Sequence, residues 1–252
     1  DAFRYFLIRD MSFGLDSNFS ELALSERINA DLANDLGNLL NRTLGMLGRY
    51  RNGVVPAAGE LAAEDVELRD AFLALPARLV SLVDKLQYDR AVDNVMEAVR
   101  KANKYIADTK PWELARDEAQ APRLDAVLNT LVEALRSASI LLDPVMPGKM
   151  HDLRKQLGIR NVPFDLSTAA DWGLVPAGTK TAPGEPLFPR IDLEELQRDI
   201  AGPEEEEPAV LEHKPEITID EFAKTELRVV TVEQAEQHPN ADKLLVLTVR
   251  MG

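Results

Sequence analysis

Apolar residues recur at helical spacing along the first part of the chain. The longest stripe follows Ser20 and consists of Leu32, Leu36, Leu39, Leu40, Leu44 and Leu47. Ser20 fits the N-cap of a short helix that begins this run, with Glu21 in its first turn. Asn52-Gly53 is a typical stop signal, so we expect the long helix to end near Arg51.

Further segments predict the rest of a helical bundle. They cover approximately Glu64–Gln87, Arg90–Ala107, Trp112–Arg116, Pro122–Leu142 and Gly148–Gln156. Pro76 predicts a kink or a break within the segment Glu64–Gln87, and Pro111 suits the opening position of the helix over Trp112–Arg116. Each longer helix has one apolar face, and such faces are buried against one another. The pattern therefore predicts a mainly α fold, an antiparallel helical bundle.

The pattern changes after Gly158. The next segment has no strong period and indicates irregular or short-strand structure, followed by a helix over Leu193–Ile200. The stretch GPEEEEPAVLEHKPE is charged and contains prolines, which is typical of a flexible linker. Beyond it, Leu227–Val232 and Leu244–Val249 are β-branched runs separated by the turn-rich HPNAD, which predicts two strands.

The composition is that of an ordinary globular protein. The 252 residues are 45% apolar, enough for a core of normal size, and no run of about 18 apolar residues implies a membrane span. Cysteine is absent, which excludes disulfides and thiolate metal sites and fits a cytoplasmic location. The charged start DAFRYFLIRD does not suit a secretory signal, and it begins mid-pattern without an initiator Met, so we expect a fragment.

The charge is unevenly distributed. A formal net charge of −14 argues against a general nucleic-acid binder, because phosphate contacts need Lys and Arg. Between Leu36 and Gly59, however, there are three Arg and no acid, while acid collects in stretches such as Glu204–Glu207. One neutral-to-basic docking face is therefore compatible with the overall charge.

The motifs of catalysis and metal binding are missing from the sequence. His151, His213 and His238 lie far apart, and none follows a Glu by three residues as in di-iron helical bundles. Neither GxGxxG nor GxxxxGK[ST] occurs. We therefore predict no catalytic residue and no metal site, and interpret the many carboxylates as solvated helix faces.

Three side chains instead suggest recognition of a nucleobase. Asn38 and Arg42 stand four residues apart on one predicted helix, so their planar donor groups share a face. Trp112 follows Pro111 at a helix start and offers a stacking surface, as in proteins that read single-stranded RNA loops. The sequence leaves simpler alternatives open. Asn38 could bond to backbone, Arg42 could pair with Asp35, and Trp112 could pack onto a neighbouring helix.

Four blocks of sequence, in order, resemble the C-terminal half of bacterial methionyl-tRNA synthetases. They are DAFRYFLIRD, FSELALSERINADLANDLGNLLNRTLGML, YIADTKPWELAR and WGLVPAG…PLFPRID, and the similarity runs through about residues 1–198. The tail, with its distinctive HPNADKL, resembles the opening of the tRNA-binding OB-fold domain that many of these synthetases carry.

The resemblance implies a domain order. Residues 1–19 would end the segment that joins the catalytic domain, and 20–158 would form the anticodon-binding helical bundle of class Ia synthetases. Residues 159–200 would be a return peptide and a terminal helix, 201–216 an acidic linker, and 217–252 a truncated start of the OB-fold domain. Since that barrel needs about five strands, we expect its start to be poorly ordered here, or ordered only by contacts.

The resemblance also implies a function, recognition of the CAU anticodon. Trp112 would stack on an anticodon base, while Asn38 and Arg42 would bond to base edges. Members of the family attach methionine to tRNA(Met) with ATP and Mg, in a catalytic domain that also carries zinc. No motif of that domain matches here, so this fragment is expected neither to be catalytic nor to hold a cofactor.

The implied partners are tRNA(Met), the chain's own catalytic domain and a second copy through the complete C-terminal domain; no membrane is implied. The alternative is an α-helical protein-interaction module with no RNA role. For Lys104 and Lys110, solvation of helix ends is favoured over contact with phosphate.

Overall fold

The computed structural model describes residues 1–201, 218–238 and 244–251 of the chain. The chain divides into two compact units, Asp1–Pro203 and Glu204–Gly252. Most of the predicted acidic linker, 202–216, and most of the HPNADKL stretch, 239–243, lie outside the described residues. Within the described part, no helix is both long enough and apolar enough to cross a membrane.

The first unit is helical, as predicted. Its α-helices are α1 (Ala2–Asp10), α2 (Glu21–Arg27), α3 (Asn38–Arg51), α4 (Ala63–Leu73), α5 (Leu75–Val83), α6 (Tyr88–Thr109), α7 (Pro111–Leu114), α8 (Ala121–Leu141), α9 (Pro147–Leu157) and α10 (Leu193–Ala201). Short 3₁₀ turns lie at Glu118–Gln120 and Thr168–Ala170.

Helices α2 and α3 belong to one continuous helical run. The Ser20 hydroxyl caps its start by accepting from the Ala23 N–H at 3.0 Å, and Asn52 ends it in the left-handed region at φ 53°. The predicted end at Arg51 is confirmed. Between the two helices, Ile28–Gly37 winds as a π-helix, which the apolar spacing did not predict. Such wide turns are rare and often lie next to functional sites.

The predicted helix over Glu64–Gln87 is broken, as Pro76 indicated. Helix α4 ends at Leu73 and α5 begins at Leu75, with the proline in the first turn of α5, where its missing N–H costs nothing. The expected end at Gln87 was wrong, because α5 stops at Val83 and Tyr88 already opens α6.

Helix α8 is the centre of the core. Its residues from Ala126 to Leu141 are all buried, and α3, α4, α6, α7 and α9 all contact it. A buried ion pair, Glu133 with Arg136 at 2.8 Å, lies on this helix. Its two members also bind the irregular segment predicted after Gly158, so that segment packs back onto the bundle.

The second unit contains a short helix, α11 (Ile219–Phe222), and two strands, β1 (Val230–Gln237) and β2 (Leu245–Met251). The strands pair antiparallel with an irregularity between Val232 and Gln234. The predicted pair of strands is confirmed, but the first was placed too early, since Leu227 and Val229 precede β1. Every residue of both strands is exposed.

Candidate functional site

One face of α3 forms the wall of a surface groove. Arg42, Gly45, Met46, Arg49 and Tyr50 follow the spacing at which side chains share a helix face, and all five line the groove. The groove has a volume of about 430 Å³. Its remaining lining residue is Trp112, which α7 contributes from more than sixty positions further along the chain.

The backbone fixes Trp112 at a corner between two helices. Lys110 ends α6 in the left-handed region at φ 46°, an uncommon conformation for a residue with a side chain. Pro111 follows it, buried at the first position of α7. The indole is 39% exposed, so one part of the ring contacts protein while the rest lines the groove.

The other tryptophan packs against the core instead. Trp172 is partly buried against the hydrophobic core, with its ring centroid 6.4 Å from that of Phe72. The two tryptophans therefore have different environments, and the one predicted as a stacking surface is the one that lines a groove.

The groove carries positive charge. In the described part of the chain, Arg42 and Arg49 have no carboxylate within ion-pair distance. Asp35, the alternative partner of Arg42 in the sequence, pairs with Arg100 at 3.6 Å instead. Arg51, the third arginine of this stretch, points elsewhere and binds Asp125 of α8 at 2.5 Å. Two uncompensated guanidinium groups thus line the groove that holds the indole.

Asn38 lies outside the groove lining, one helical turn before Arg42. Its side chain is exposed, and its amide donates to Oδ1 of Asn103 at 3.4 Å. The amide of Asn103 in turn donates to the backbone carbonyl of Asp35 at 2.9 Å. Arg42 and Trp112 therefore line one groove, while Asn38 stands beside the groove and is held by Asn103 of α6.

Several lining residues were not singled out from the sequence. Gly45, Met46, Arg49 and Tyr50 could have been found by continuing the helical spacing from Arg42. Asn103 gave no such signal, because it reaches Asn38 from 65 residues away.

Lys104 and Lys110 are both engaged in local ion pairs. Lys104 pairs with Asp108 at 2.5 Å, and Lys110 pairs with Glu113 at 3.5 Å. The hydrogen bond that the Lys104 amine donates to the Asp108 carboxylate raises the pKa of Lys104.

A larger cavity, of about 650 Å³, lies on another side of the first unit. Its lining from α5, α6 and the Pro144 and Phe164 regions is mainly apolar, and its charged members are Asp84 and Asp143. Such a lining offers no cation to a phosphate. Among the residues that the structure describes, no group of three or more His, Asp or Glu could hold a metal ion.

Comparison with known families places this chain in a defined class. Residues 1–44 match the model of class I tRNA synthetases of the methionine type, described as "tRNA synthetases class I (M)". Residues 55–203 match the model described as "Anticodon binding domain of methionyl tRNA ligase". The chain therefore belongs to the family of methionyl-tRNA ligase anticodon-binding domains, and the resemblance found in the sequence is confirmed.

Individual relatives agree. The whole chain is 43% identical over 277 residues to the methionine–tRNA ligase of Deinococcus radiodurans and 43% identical over 256 residues to that of Caldanaerobacter subterraneus subsp. tengcongensis. It spans 40% of the length of each. The crystal structure of apo methionyl-tRNA synthetase from Mycobacterium tuberculosis matches with a TM-score of 0.71 and 34% identity, over 76% of this chain and 39% of that one.

Proposed function

We propose that the groove between α3 and α7 reads the CAU anticodon of tRNA(Met). The observation that carries the proposal is that Arg42 and Trp112, from distant parts of the chain, line one exposed groove without a competing carboxylate. A nucleobase turned out of its loop needs a flat surface and a donor at its edge, and the groove offers both.

Each side chain then has a distinct role. The exposed part of the Trp112 indole stacks on one base, a contact that contributes about 1–3 kcal/mol. The guanidinium of Arg42 donates to the acceptors on a base edge, for which the O2 and N3 atoms of cytosine are suited. Asn38, held by Asn103, supplies a second planar donor group, an amide, one turn away.

The function of the larger protein follows from the family. We propose that this chain is the anticodon-binding part of a methionine–tRNA ligase, whose catalytic part attaches methionine to tRNA(Met) with ATP and Mg and carries zinc. The described part of β1 and β2 supports the start of a tRNA-binding OB-fold, through which the complete protein would form a homodimer. A cytoplasmic location belongs to the same proposal.

The test is binding of RNA stem-loops to the full chain. One stem-loop carries CAU in its loop, and a second differs in the first of these bases. We expect the chain to prefer CAU, Trp112→Ala to weaken its binding about 5- to 150-fold, and Arg42→Ala to lose the preference.

The control is Arg78→Ala, because Arg78 is an exposed arginine of α5 outside the groove. It should leave both affinities within about twofold of the parent chain. Equal, weak binding of both loops, unchanged by Trp112→Ala and Arg42→Ala, would contradict the proposal and support a helical protein-interaction module.

A further inference from the structure

Two glycines in the middle of α3 are unexplained by packing. Gly45 and Gly48 lie within Asn38–Arg51, where a glycine destabilises the helix relative to alanine. A Cβ atom added to either would meet nothing within 4 Å, and neither has a positive φ. Gly37 differs, since a Cβ there would lie 3.0 Å from the carbonyl oxygen of Leu32. Neither crowding nor backbone conformation therefore requires Gly45 or Gly48.

The two glycines differ in their relation to the groove. Gly45 is one of its lining residues, whereas Gly48 is exposed but does not line it. Gly45 also lies between the two unpaired cations, three residues after Arg42 and four before Arg49, on the same helix face. Bare helix backbone is thus exposed at the point where the groove is lined by two guanidinium groups and an indole.

We propose that the ribose–phosphate backbone of the RNA loop packs directly on α3 at Gly45, and that Arg49 binds its phosphate. Glycine permits a close approach between backbone and ligand that any side chain would prevent. A guanidinium group binds phosphate through two parallel hydrogen bonds, and contacts of this kind fix the position of a nucleic acid without reading its sequence.

The inference rests on the proposed function and assigns different roles to different residues of the groove. Trp112 and Arg42 read the base, while Gly45 and Arg49 hold the backbone that presents it. Arg49 has the exposure and the free guanidinium that this role requires.

The matched pair Gly45→Gln and Gly48→Gln tests the close approach in the full chain. Glutamine is a better helix former than glycine and adds no charge, so both variants should unfold at or above the temperature of the parent chain. We expect Gly45→Gln to weaken binding of the CAU stem-loop by about tenfold or more, because its side chain projects into the groove, and Gly48→Gln to change it by less than about twofold.

Arg49→Gln tests the phosphate contact. It should lower the affinity for the CAU stem-loop and the affinity for the changed stem-loop by the same factor, because the contact carries no sequence information. The slope of log affinity against log salt concentration should fall by about 0.7, the value for one phosphate of a single strand. Arg78→Gln should alter neither the affinities nor the slope.

The outcomes separate the inference from the proposed function. An unchanged affinity of Gly45→Gln, or an equal loss of affinity in Gly45→Gln and Gly48→Gln, would overturn the proposed close approach of the RNA backbone at Gly45. An unchanged salt slope in Arg49→Gln would overturn the phosphate contact. If Trp112→Ala still weakens binding in either case, recognition of the anticodon by the groove stands without them.

Discussion

At the scale of single residues, a buried carboxylate organises the start of α4. Asp65 is fully buried, accepts from the Tyr105 hydroxyl at 2.5 Å and pairs with Arg123 at 2.7 Å. It also accepts from the N–H of Ala62, which caps the helix. A buried charge is tolerated only when it is paired and hydrogen-bonded, and here three donors satisfy it. Burial is the main reason why the pKa of Tyr105 is raised, and the hydrogen bond that its hydroxyl donates to Asp65 raises it further.

The raised pKa predicts a loss of stability at alkaline pH. The phenol of Tyr105 stays neutral in the folded chain, while in the unfolded chain it ionises near pH 10. Its contribution is therefore complete below about pH 10 and is lost as the pH rises further. Tyr105→Phe should be less stable at neutral pH by about 1–3 kcal/mol, since Asp65 loses a donor, but should lose less stability above pH 10.

Thermal unfolding followed by circular dichroism from neutral to alkaline pH measures both effects. Tyr88→Phe is the control, because the Tyr88 hydroxyl has no hydrogen-bond partner in the described protein. Parallel alkaline losses in Tyr105→Phe and the parent chain would show that this phenol does not carry the effect.

At the scale of elements, one ion pair attaches the irregular segment to the central helix. Glu133 of α8 accepts from the N–H of Val175 at 2.6 Å. Arg136 donates to the carbonyls of Thr168 and Asp171, at 2.9 and 2.5 Å. Both side chains are almost completely buried. A segment with little regular structure has backbone groups that need partners. These two side chains satisfy the Val175 N–H and the Asp171 carbonyl, and they add a second hydrogen bond to the Thr168 carbonyl, which also accepts from the Asp171 N–H.

Removal of one member of the pair should lower the free energy of unfolding by more than a surface substitution does. In Glu133→Gln the Arg136 guanidinium stays buried without its carboxylate, so we expect a loss of about 3–5 kcal/mol in the free energy of unfolding. Urea denaturation measures it. Glu97→Gln, at an exposed position of α6, should change stability by less than about 0.5 kcal/mol. Equal midpoints for the two variants would contradict this account of the segment.

At the scale of the whole molecule, the two units differ in how much they bury. The helical unit has a continuous core around α8, whereas both strands of the second unit are exposed along their full length. A two-stranded hairpin alone is marginally stable in water. The sequence predicted weak order for this tail because the expected barrel needs about five strands.

Amide exchange of the full chain tests that contrast. The N–H of Val246 in β2 should exchange orders of magnitude faster than that of Val132 in the buried part of α8, since exchange follows the free energy of local opening. Val229, which precedes β1, should exchange as fast as an unstructured amide. Strong protection of Val229 and Val246 would show that the second unit is stable as it stands.

The sequence predicted the elements better than the details inside them. The stripe of leucines and the stop at Asn52-Gly53 gave the correct end of α3, and Pro76 gave the break before α5. The π-helix at Ile28–Gly37 was not predicted, because its apolar residues also fit ordinary helical spacing. The early placement of β1 has a similar cause, since a β-branched run does not by itself define where pairing begins.

Features that depend on local spacing and on the restricted backbone of proline could be read from the order of the residues alone. The face of the helix that carries Asn38, Arg42 and Arg49, and the Pro-Trp corner at Trp112, follow from the geometry of a few neighbouring residues. The folded chain was needed to show that α7 brings Trp112 to that face, that Arg51 turns to Asp125, and that Asn103 holds Asn38. These contacts join residues far apart in the chain, and they depend on how many buried side chains pack together around α8.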